Sequence, residues 1–463
     1  MRSVHVAVLI GILVAVPLRA EGQTETSSRP TALTLEDAIR RGLDTSHRIA
    51  EAVARGEAAG AIVTERHAAL LPQVSAQAGY TRTNHVTPFA VFALSTQQLQ
   101  IIYPDVPNNY RTRLDLQWPI YTGGRLDAIE RAARIEATAS EDEVAAARSD
   151  LTLEITRAYW ALVTANESLR VVDESVRRIG AHLQDVRNQL GAGLVPPSDV
   201  SSVEAQASRQ QMFAIQARGT RDVAEAELAR LAGLAPGTSI DPVVTLTPPP
   251  GDPSTQGNPG SPGSPGSPGS PGSIDALVEA AKQERPERDG LAKRVRAAEE
   301  RSLAAAAGMK PTVAVAGGFD YARPNPHIFP RQAAWKTSWD ASVNVSWPLF
   351  DGGRTAGETA EASASARAAR ERLAEFDAAL ALEIRQRLTD LLSARAAIAA
   401  AADAVRSAAE ARRVVGERFR AGVATSTDVL DAQVALLQAE LDRTQAIAGA
   451  RLAEARLARA RGR

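Results

Sequence analysis

The sequence of 463 residues contains no cysteine, and phenylalanine, tyrosine and tryptophan together make up only 4% of it. Without cysteine there can be no disulfide, no thiolate metal site, no cysteine nucleophile and no lipid on an N-terminal cysteine. A soluble chain of this length would be expected to form roughly three globular domains. Because such domains usually anchor their cores on aromatic side chains, the composition argues against an ordinary globular protein. We also expect a protein that is not lipidated.

The chain has no excess of charge of either sign and none of the common catalytic motifs. Its 53 basic and 54 acidic residues leave a formal net charge of −1, so nucleic acid is not an expected partner. The six histidines are scattered, and no two of them have metal-ligand spacing. The phosphate-binding, nucleophile-elbow, metalloprotease and dinucleotide motifs are all missing. We therefore expect no cofactor, no metal site and no enzymatic activity; a soluble periplasmic enzyme is the weaker alternative.

Residues 1–20 have the pattern of an export signal. Arg2 precedes an apolar run that extends from Val4 to Leu18. About 15 apolar residues suit a signal peptide and are too few to cross a bilayer as a helix. We predict cleavage near Ala20 and a mature chain outside the cytoplasm, and a buried N-terminal helix is the alternative. Since no later run reaches 18 apolar residues, we expect no transmembrane helices.

The rest of the chain consists of one unit that occurs twice. The motif Trp-Pro-Ile-Tyr-Thr-Gly-Gly-Arg at 118–125 returns as Trp-Pro-Leu-Phe-Asp-Gly-Gly-Arg at 347–354, 229 residues later. Ala-Gly-Leu followed by Ser-Asp-Val, within 192–200, returns as Ala-Gly-Val and Thr-Asp-Val at the same displacement. Several motifs in a single register indicate an internal duplication.

We predict a first structural repeat at 21–247 and a second at 274–463, joined by a linker at 248–273 that is rich in Pro, Gly and Ser. The linker composition favours an extended polyproline-II conformation. A collagen-like helix is the alternative, because glycine falls at every third position there. Each repeat is predicted to contain a helix, a β-hairpin, a long helix and a last helix. The predicted bounds are 73–122 and 312–350 for the hairpins, 125–190 and 354–420 for the long helices, and 199–234 and 428–461 for the last helices.

The long helices have coiled-coil spacing. Apolar residues recur at intervals of three and four from Leu151 to Leu190, whereas the second long helix becomes alanine-rich after Leu391. At 1.5 Å per residue, each long helix would reach about 100 Å. The two shorter helical segments of each repeat together have nearly the length of the long helix. We therefore predict that they stack end to end, which gives a layer of parallel rods.

The hairpins have the opposite periodicity. Apolar and polar residues alternate over about ten positions in each of the segments 73–83, 113–121, 312–321 and 340–349. This pattern is typical of transmembrane β-strands, which have lipid on one face and water on the other. Aromatic residues at the strand ends predict an interfacial girdle of Trp118, Tyr121, Trp347 and Phe350. Two soluble hairpins with one buried face are the alternative.

Four strands cannot close a transmembrane barrel, because an open sheet edge would leave backbone groups unsatisfied in lipid and the smallest barrels have about eight strands. The pattern therefore predicts an oligomer in which each chain contributes four strands. The fold class that we expect is a mixed α and β membrane protein, with a long coiled-coil helical barrel and a transmembrane β-barrel completed by association of several chains.

The doubled Trp-Pro-(Ile/Leu)-(Tyr/Phe)-x-Gly-Gly-Arg and Ala-Gly-(Leu/Val)-x-x-x-(Ser/Thr)-Asp-Val motifs resemble the outer membrane factor family of TolC-like efflux proteins. Leu-Thr-Leu-Glu-Asp-Ala at 33–38 also resembles that family's first helix, and the resemblance covers roughly 33–462. It implies a homotrimer with 12 strands and 12 helical rods, located in the outer membrane and extending into the periplasm. The implied function is the exit duct of a tripartite efflux or type I secretion system.

The implied partners are a periplasmic adaptor protein, outer-membrane lipid and, indirectly, an inner-membrane pump or an ATP-driven translocase. The resemblance does not separate small-molecule efflux from polypeptide secretion. A non-channel coiled-coil protein that spans the envelope is the alternative from another class.

The resemblance also implies positions for the site residues. Segments 85–110 and 324–337 would be extracellular loops, and four glycines would break the chain between strand and helix: Gly123, Gly124, Gly352 and Gly353. The periplasmic tips, where an adaptor would dock, would contain Gly193, Leu194, Val195, Gly422 and Val423. Ser198 and Thr427 are expected to be the N-caps of the returning helices, each followed by a carboxylate in the first turn, at Asp199 and Asp428.

Asp428 and Asp431 are the expected gate. Their spacing of three puts both carboxylates on one helix face, and the resemblance implies that this face lies at the narrow periplasmic entrance. A ring of aspartates from several chains would make a pore cation-selective. The alternative is that Asp428 merely begins the helix. Where the family's typical member has a tyrosine and an arginine that latch the entrance, this chain has Phe419 and Ala424, so we expect a different lock.

Overall fold

A computed structural model describes residues 31–93, 97–249 and 271–462. The predicted signal peptide and residues 250–270 of the predicted linker lie outside the described residues. The helices are α1 (Leu35–Thr45), α2 (His47–Ala68), α3 (Arg125–Gly191), α4 (Pro197–Leu231), α5 (Pro271–Glu284), α6 (Pro286–Ala306), α7 (Arg354–Arg420) and α8 (Ser426–Ala460). The strands are β1 (Thr31–Leu33), β2 (Gln73–Arg82), β3 (Phe89–Ala93), β4 (Gln98–Tyr103), β5 (Asn108–Tyr121), β6 (Ile240–Pro242), β7 (Thr312–Arg323) and β8 (Lys336–Ser346).

The helices form a layer built around α3. Helices α2 and α4 pack along one flank of α3, α6 and α8 pack along its other flank, and α7 packs on α6 and α8. The end of α4 meets the start of α2 beside the middle of α3, because Arg230 and Arg48 both pair with Glu154. The shorter helices are therefore stacked in pairs, α2 with α4 and α6 with α8. The result is four parallel rods with α2 and α4 at one edge and α7 at the other.

The described bounds differ from the prediction mainly at the starts of elements. The opening helix of each repeat is two helices, since Ser46 begins α2 by accepting a hydrogen bond from Ile49 N at 3.4 Å, and Pro286 begins α6. The last helices begin two residues earlier than predicted, at Pro197 and Ser426. Two elements were not predicted at all: the β3–β4 hairpin within the first long loop and the short parallel pair of β1 with β6.

A core of buried side chains holds the middle of the helix layer together. Ile155, Tyr159 and Leu162 of α3 pack against Leu228 and the β1–β6 pair. The Tyr159 hydroxyl donates a hydrogen bond to the carbonyl of Leu33 at 3.3 Å, which fixes β1 across α3. In the described part of the chain, no helix combines the length and the hydropathy needed to cross a membrane.

The main sheet has four antiparallel strands in the order β2-β5-β7-β8. The central pair joins a strand of the first repeat to a strand of the second, with Arg113 opposite Asp320. The two edge strands are β2 and β8. Because β2 follows α2 and β8 precedes α7, the two edge strands are continuous with the helices at the two edges of the helix layer.

Candidate functional site

The four-stranded sheet has one apolar and one polar face. Residues directly opposite each other in neighbouring strands share a face. On the apolar face of the isolated chain, the exposed side chains include Val74, Leu116, Val343 and Val345. We call this the apolar face; its apolar members are Val74, Ala76, Ala78, Tyr80, Tyr110, Leu114, Leu116, Trp118, Tyr121, Val313, Val315, Phe319, Tyr321, Trp339, Ala341, Val343 and Val345, and Thr112, Gly317, Arg323 and Thr337 also lie on it. A surface of this kind needs a covering of lipid or protein.

The opposite face, which we call the polar face, contains a network of ion pairs that joins three strands. It includes Gln73, Ser75, Gln77, Arg111, Arg113, Asp115, Asp320, Ser338, Asp340, Ser342 and Asn344. Asp320 has no exposed surface, and its two carboxylate oxygens accept hydrogen bonds from Arg111 Nε and Arg113 Nη1, each at 2.5 Å. Arg113 also donates to Asp115 and, across Gly318, to Asp340 at 3.0 Å.

Gly318 makes this network possible, because a Cβ at that position would overlap the Arg113 guanidinium. The ligand atoms of Asp320, His327 and Asp340 lie within 4.8 Å of one another, as in some metal sites. Two arginines already neutralise Asp320, however, so the cluster is better suited to ion pairing than to binding a cation. Alternation predicted the two faces, but it gave no indication of the pairing between residues 113 and 340.

Aromatic residues lie at both ends of the sheet. At the end nearest the helices, Trp118, Tyr121, Trp347 and Phe350 are all exposed, as an interfacial girdle requires. A bulge between Pro119 and Tyr121 turns Tyr121 to face Val313, on the apolar face. The far end has a second aromatic cluster, which was not predicted: the ring centroids of Tyr80 and Tyr110 are 5.0 Å apart, and Trp335 contacts both Tyr110 and Tyr321.

Glycines stand where strand passes into long helix. Gly123 and Gly124 have φ of +67° and +84°, and Gly352 and Gly353 have φ of +67° and +89°. Only glycine adopts such conformations without steric cost. The chain therefore turns at both positions in a conformation that suits glycine, and α3 and α7 begin directly after these turns.

The opposite ends of the long helices are two matched turns, which we call the tips. Gly193 and Gly422 have φ of +71° and +76°, and Leu194 N and Val423 N each donate back to a carbonyl five residues earlier, at 2.9 Å. This is the Schellman arrangement that ends a helix at glycine. Leu194 and Val423 are 74% and 62% exposed, whereas Val195 packs into the core between the tips.

Ser198 and Thr427 are not the N-caps, contrary to the sequence prediction. The N-cap of α8 is Thr425, which accepts a hydrogen bond from Asp428 N at 3.2 Å, while the Asp428 carboxylate accepts one from Thr425 N at 2.8 Å. This reciprocal pair is a capping box. The N-cap of α4 is Pro196, followed by Pro197 at the first helical position, where a missing N–H costs nothing. Ser198 and Thr427 lie inside the first turns.

The two gate candidates therefore have different surroundings. The hydrogen bonds from Thr425 hold the pKa of the Asp428 carboxyl below its usual range, so this carboxylate already stabilises the start of the helix. Asp431 is exposed one turn further on, and no described side chain pairs with it. Asp199 is half-buried and accepts a hydrogen bond from the Ser198 hydroxyl at 3.4 Å.

A buried histidine joins the two tips. His182 of α3 is 6% exposed, and its Nε2 lies 3.1 Å from the Ser426 hydroxyl at the start of α8. Its ring contacts Phe419, at the end of α7, edge to face at 5.1 Å between centroids. Burial lowers the pKa of His182, and the Asp185 carboxylate partly opposes this effect. Phe419 thus belongs to the tip core with Val429 and Ile179. Local sequence pattern gave no sign of His182, because its role depends on a contact with a residue 244 positions away.

A sheet with one apolar face, joined through glycine turns to helical rods of about 100 Å, defines the class of channel proteins that reach from a membrane into the adjoining compartment. The comparisons with known proteins agree. The family model described as "Outer membrane efflux protein" matches residues 38–234 and 277–463. The chain is 22% identical over 417 residues to outer membrane protein TolC of Vibrio cholerae, covering 88% of this chain and 85% of that one.

Two further known proteins are similar to the chain. Protein CyaE of Bordetella pertussis is 26% identical over 323 residues, which cover 69% of this chain and 61% of CyaE. The crystal structure of the outer membrane protein VceC from Vibrio cholerae superimposes with a TM-score of 0.75 at 22% identity, covering 92% of this chain and 96% of VceC. This structural likeness supports the predicted fold class.

The chain belongs to the outer membrane efflux protein family. The resemblance to the outer membrane factor family, seen in the doubled motifs, is confirmed. The predicted fold class of a mixed α and β membrane protein is confirmed as well. Family membership supports the outer membrane as its location and an outer-membrane exit duct as its function. The family consists of channel proteins and not of enzymes.

Proposed function

We propose that three copies of this chain form a closed channel that serves as the exit duct of a tripartite efflux system. The observation that carries the proposal is the coincidence of the open edges. Strand β2 and the α2–α4 rod lie at one edge of the chain, and β8 and α7 lie at the other. One rotation can therefore pair β8 with β2 of the next copy and α7 with its α2–α4 rod.

Closure also satisfies the unpaired backbone groups. The strand that follows β8 in this arrangement is antiparallel to it, so three copies give 12 strands without an edge, as lipid requires. The apolar face then contacts outer-membrane lipid, and the polar face lines the lumen. The two aromatic clusters would lie at the two membrane interfaces, with the helices in the periplasm.

The tips would dock the periplasmic adaptor protein, which connects the duct to an inner-membrane pump. Leu194 and Val423 are large apolar side chains that are exposed in each turn, as expected of a surface that a partner covers. Type I secretion, with an ATP-driven translocase in place of the pump, remains the second candidate function. The export phenotype of a strain without this chain would distinguish them: loss of small-molecule resistance supports efflux, and loss of a secreted polypeptide supports secretion.

The test of the trimer uses the absence of cysteine. One cysteine is placed on the polar face of β8, as Ser342→Cys, and a second is moved along the polar face of β2 through Gln73→Cys, Ser75→Cys and Gln77→Cys. Oxidation should produce dimers and covalent trimers at one or two neighbouring positions, since β8 and β2 of adjacent copies pair in a single register. Ala76→Cys on the apolar face is the matched control and should give no cross-link.

The proposal also requires that the purified trimer conduct ions in planar bilayers. Monomeric particles that cross-link at none of the three positions and do not conduct would refute it, and would favour a coiled-coil protein without a pore.

A further inference from the structure

The segment between β7 and β8, residues 324–335, folds over the polar face of the sheet. Asn325 is 2% exposed, and its Nδ2 donates to the Ser338 hydroxyl at 2.9 Å and to the Lys336 carbonyl at 3.0 Å. His327 Nδ1 lies 3.2 Å from the same hydroxyl and 3.5 Å from Asp320 Oδ2. Because Ser338 and Asp320 both belong to the polar face, these contacts hold the first part of the segment on that side.

The segment then reaches across the sheet towards β2. A cavity of about 340 Å³ lies between the segment and the polar face, lined among others by Gln77, Arg111, Arg113, Pro326 and Arg331. These residues come from β2, from β5 and from the segment itself. The segment therefore spans the strands from β8 to β2 instead of turning directly back along the rim.

Arg331 ties the segment to the other long loop. Its backbone N–H donates to the Ile102 carbonyl at 3.3 Å, and its guanidinium lies over the Tyr103 ring, 4.9 Å from the centroid, and bonds the hydroxyl of that ring. Both partners belong to the end of β4. The two loops at this end of the sheet are thus fastened to each other on the polar side.

We infer that residues 324–331 form a constriction at the outer mouth of the channel, distinct from the periplasmic entrance, which restricts by size what leaves the duct. This inference rests on the proposed trimer, in which the polar face lines the lumen. A 12-stranded barrel is intermediate between small barrels filled by side chains and porins with a wide aqueous channel. Three such segments, one from each copy, would occupy much of a lumen of that size.

The test measures entry from outside the cell. Ser342→Cys places a single thiol on the polar face, four residues closer to the helices than Ser338, and intact cells are treated with a maleimide polyethylene glycol too large for porins. The labelling rate is compared with that of the same protein carrying Asn325→Ala and Arg331→Ala. We expect the loop substitutions to accelerate labelling at least about tenfold, the effect expected from losing about two net hydrogen bonds. With the loop unchanged, the rate should fall steeply as the polymer becomes larger.

Val343→Cys, on the apolar face, is the control and should be protected in both backgrounds. Equal labelling of Cys at 342 and at 343 would show that the sheet does not form a closed barrel, and the proposed trimer would fail. If position 343 is protected while position 342 reacts at one rate for all polymer sizes, with or without the loop substitutions, the trimer stands and the constriction is refuted.

Discussion

At the scale of single residues, the tip brings together side chains whose roles depend on their surroundings. Asp428 serves the capping box, Asp431 is exposed and without a described partner, and His182 is buried between three helices. Phe419, which stands where the resemblance implied a tyrosine latch, contacts the His182 ring. The residue that stands in place of the implied tyrosine therefore packs in an apolar core and against one histidine.

His182 should make the tip sensitive to acid. Burial lowers the pKa of His182 in the folded state, whereas an unfolded histidine titrates near about 6.5. Below that pH the unfolded tip therefore binds more protons than the folded tip. The free energy of unfolding is therefore at its full value above about pH 6.5 and decreases as the pH falls below it. Proteolysis within α7–α8 should accelerate between about pH 7.5 and about pH 5.5, and His182→Gln should remove most of that dependence. An unchanged pH profile in the variant would assign the effect to other groups.

Substitutions of Asp431 and Asp428 should distinguish a gate residue from a residue that stabilises the start of a helix. Asp431→Asn removes an exposed carboxylate without a described partner, so it should reduce cation preference in bilayer recordings and leave thermal stability unchanged. Asp428→Asn keeps an oxygen that can accept the Thr425 N–H bond, whereas Asp428→Ala removes it and should cost about 1 kcal/mol. If Asp431→Asn leaves both ion selectivity and block by multivalent cations unchanged, Asp431 is a surface charge.

At the scale of elements, the two tips are the same turn built twice. Each long helix ends in a Schellman turn at a glycine with positive φ, and each leaves one large apolar residue exposed. The starts of the returning helices differ, because the first uses two prolines and the second uses a capping box. A partner that recognises both turns must therefore read the features that they share.

Charge at the exposed apolar positions should block export without disturbing assembly. Leu194→Glu and Val423→Glu change side chains whose φ is ordinary, whereas any residue at Gly422 would also strain the turn, since its φ is +76°. We expect both variants to form cross-linked trimers at wild-type yield and to lose at least tenfold in export, the effect of about 1.4 kcal/mol of lost docking energy. Val423→Leu is the matched control and should export normally. Normal export by both charged variants would remove these residues from the docking surface.

At the scale of the whole molecule, the two faces of the sheet decide how the chain sits in its surroundings. The apolar face extends from Trp118 near the helices to Tyr80 and Tyr321 at the far end, with valine and leucine between them. Five charged residues of the polar face pair with one another across three strands of one chain: Arg111, Arg113, Asp115, Asp320 and Asp340. Each face therefore suits one medium, and substitutions one residue apart should have opposite consequences.

Ala341→Arg should prevent insertion, because a charged residue near the middle of the lipid face costs about 2–4 kcal/mol. Ser342→Arg, its neighbour on the polar face, should be tolerated. The measurement is the amount of trimer recovered in outer membranes and its resistance to heating in detergent. Equal recovery of the two variants would contradict the assignment of the faces.

The sequence by itself determined the features that depend on local pattern. The strand alternation, the spacing of three and four in α3, and the glycines at the breaks and tips each reflect the conformation of a few consecutive residues. The duplication then supplied the order of the elements. The N-caps of α4 and α8 could also have been predicted from the sequence. Thr425-Ser426-Thr427-Asp428 has the spacing of a capping box, and Pro197 suits a first helical position.

Tertiary structure alone decided which distant residues meet. Arg113 reaches Asp340 because the strand order puts β5 two strands from β8 and leaves Gly318 between them. His182 meets Ser426 because α8 returns beside α3. The segment at 324–331 covers the polar face because Asn325 and His327 find partners there. Such contacts depend on register and on packing between the two repeats, and local periodicity does not encode either.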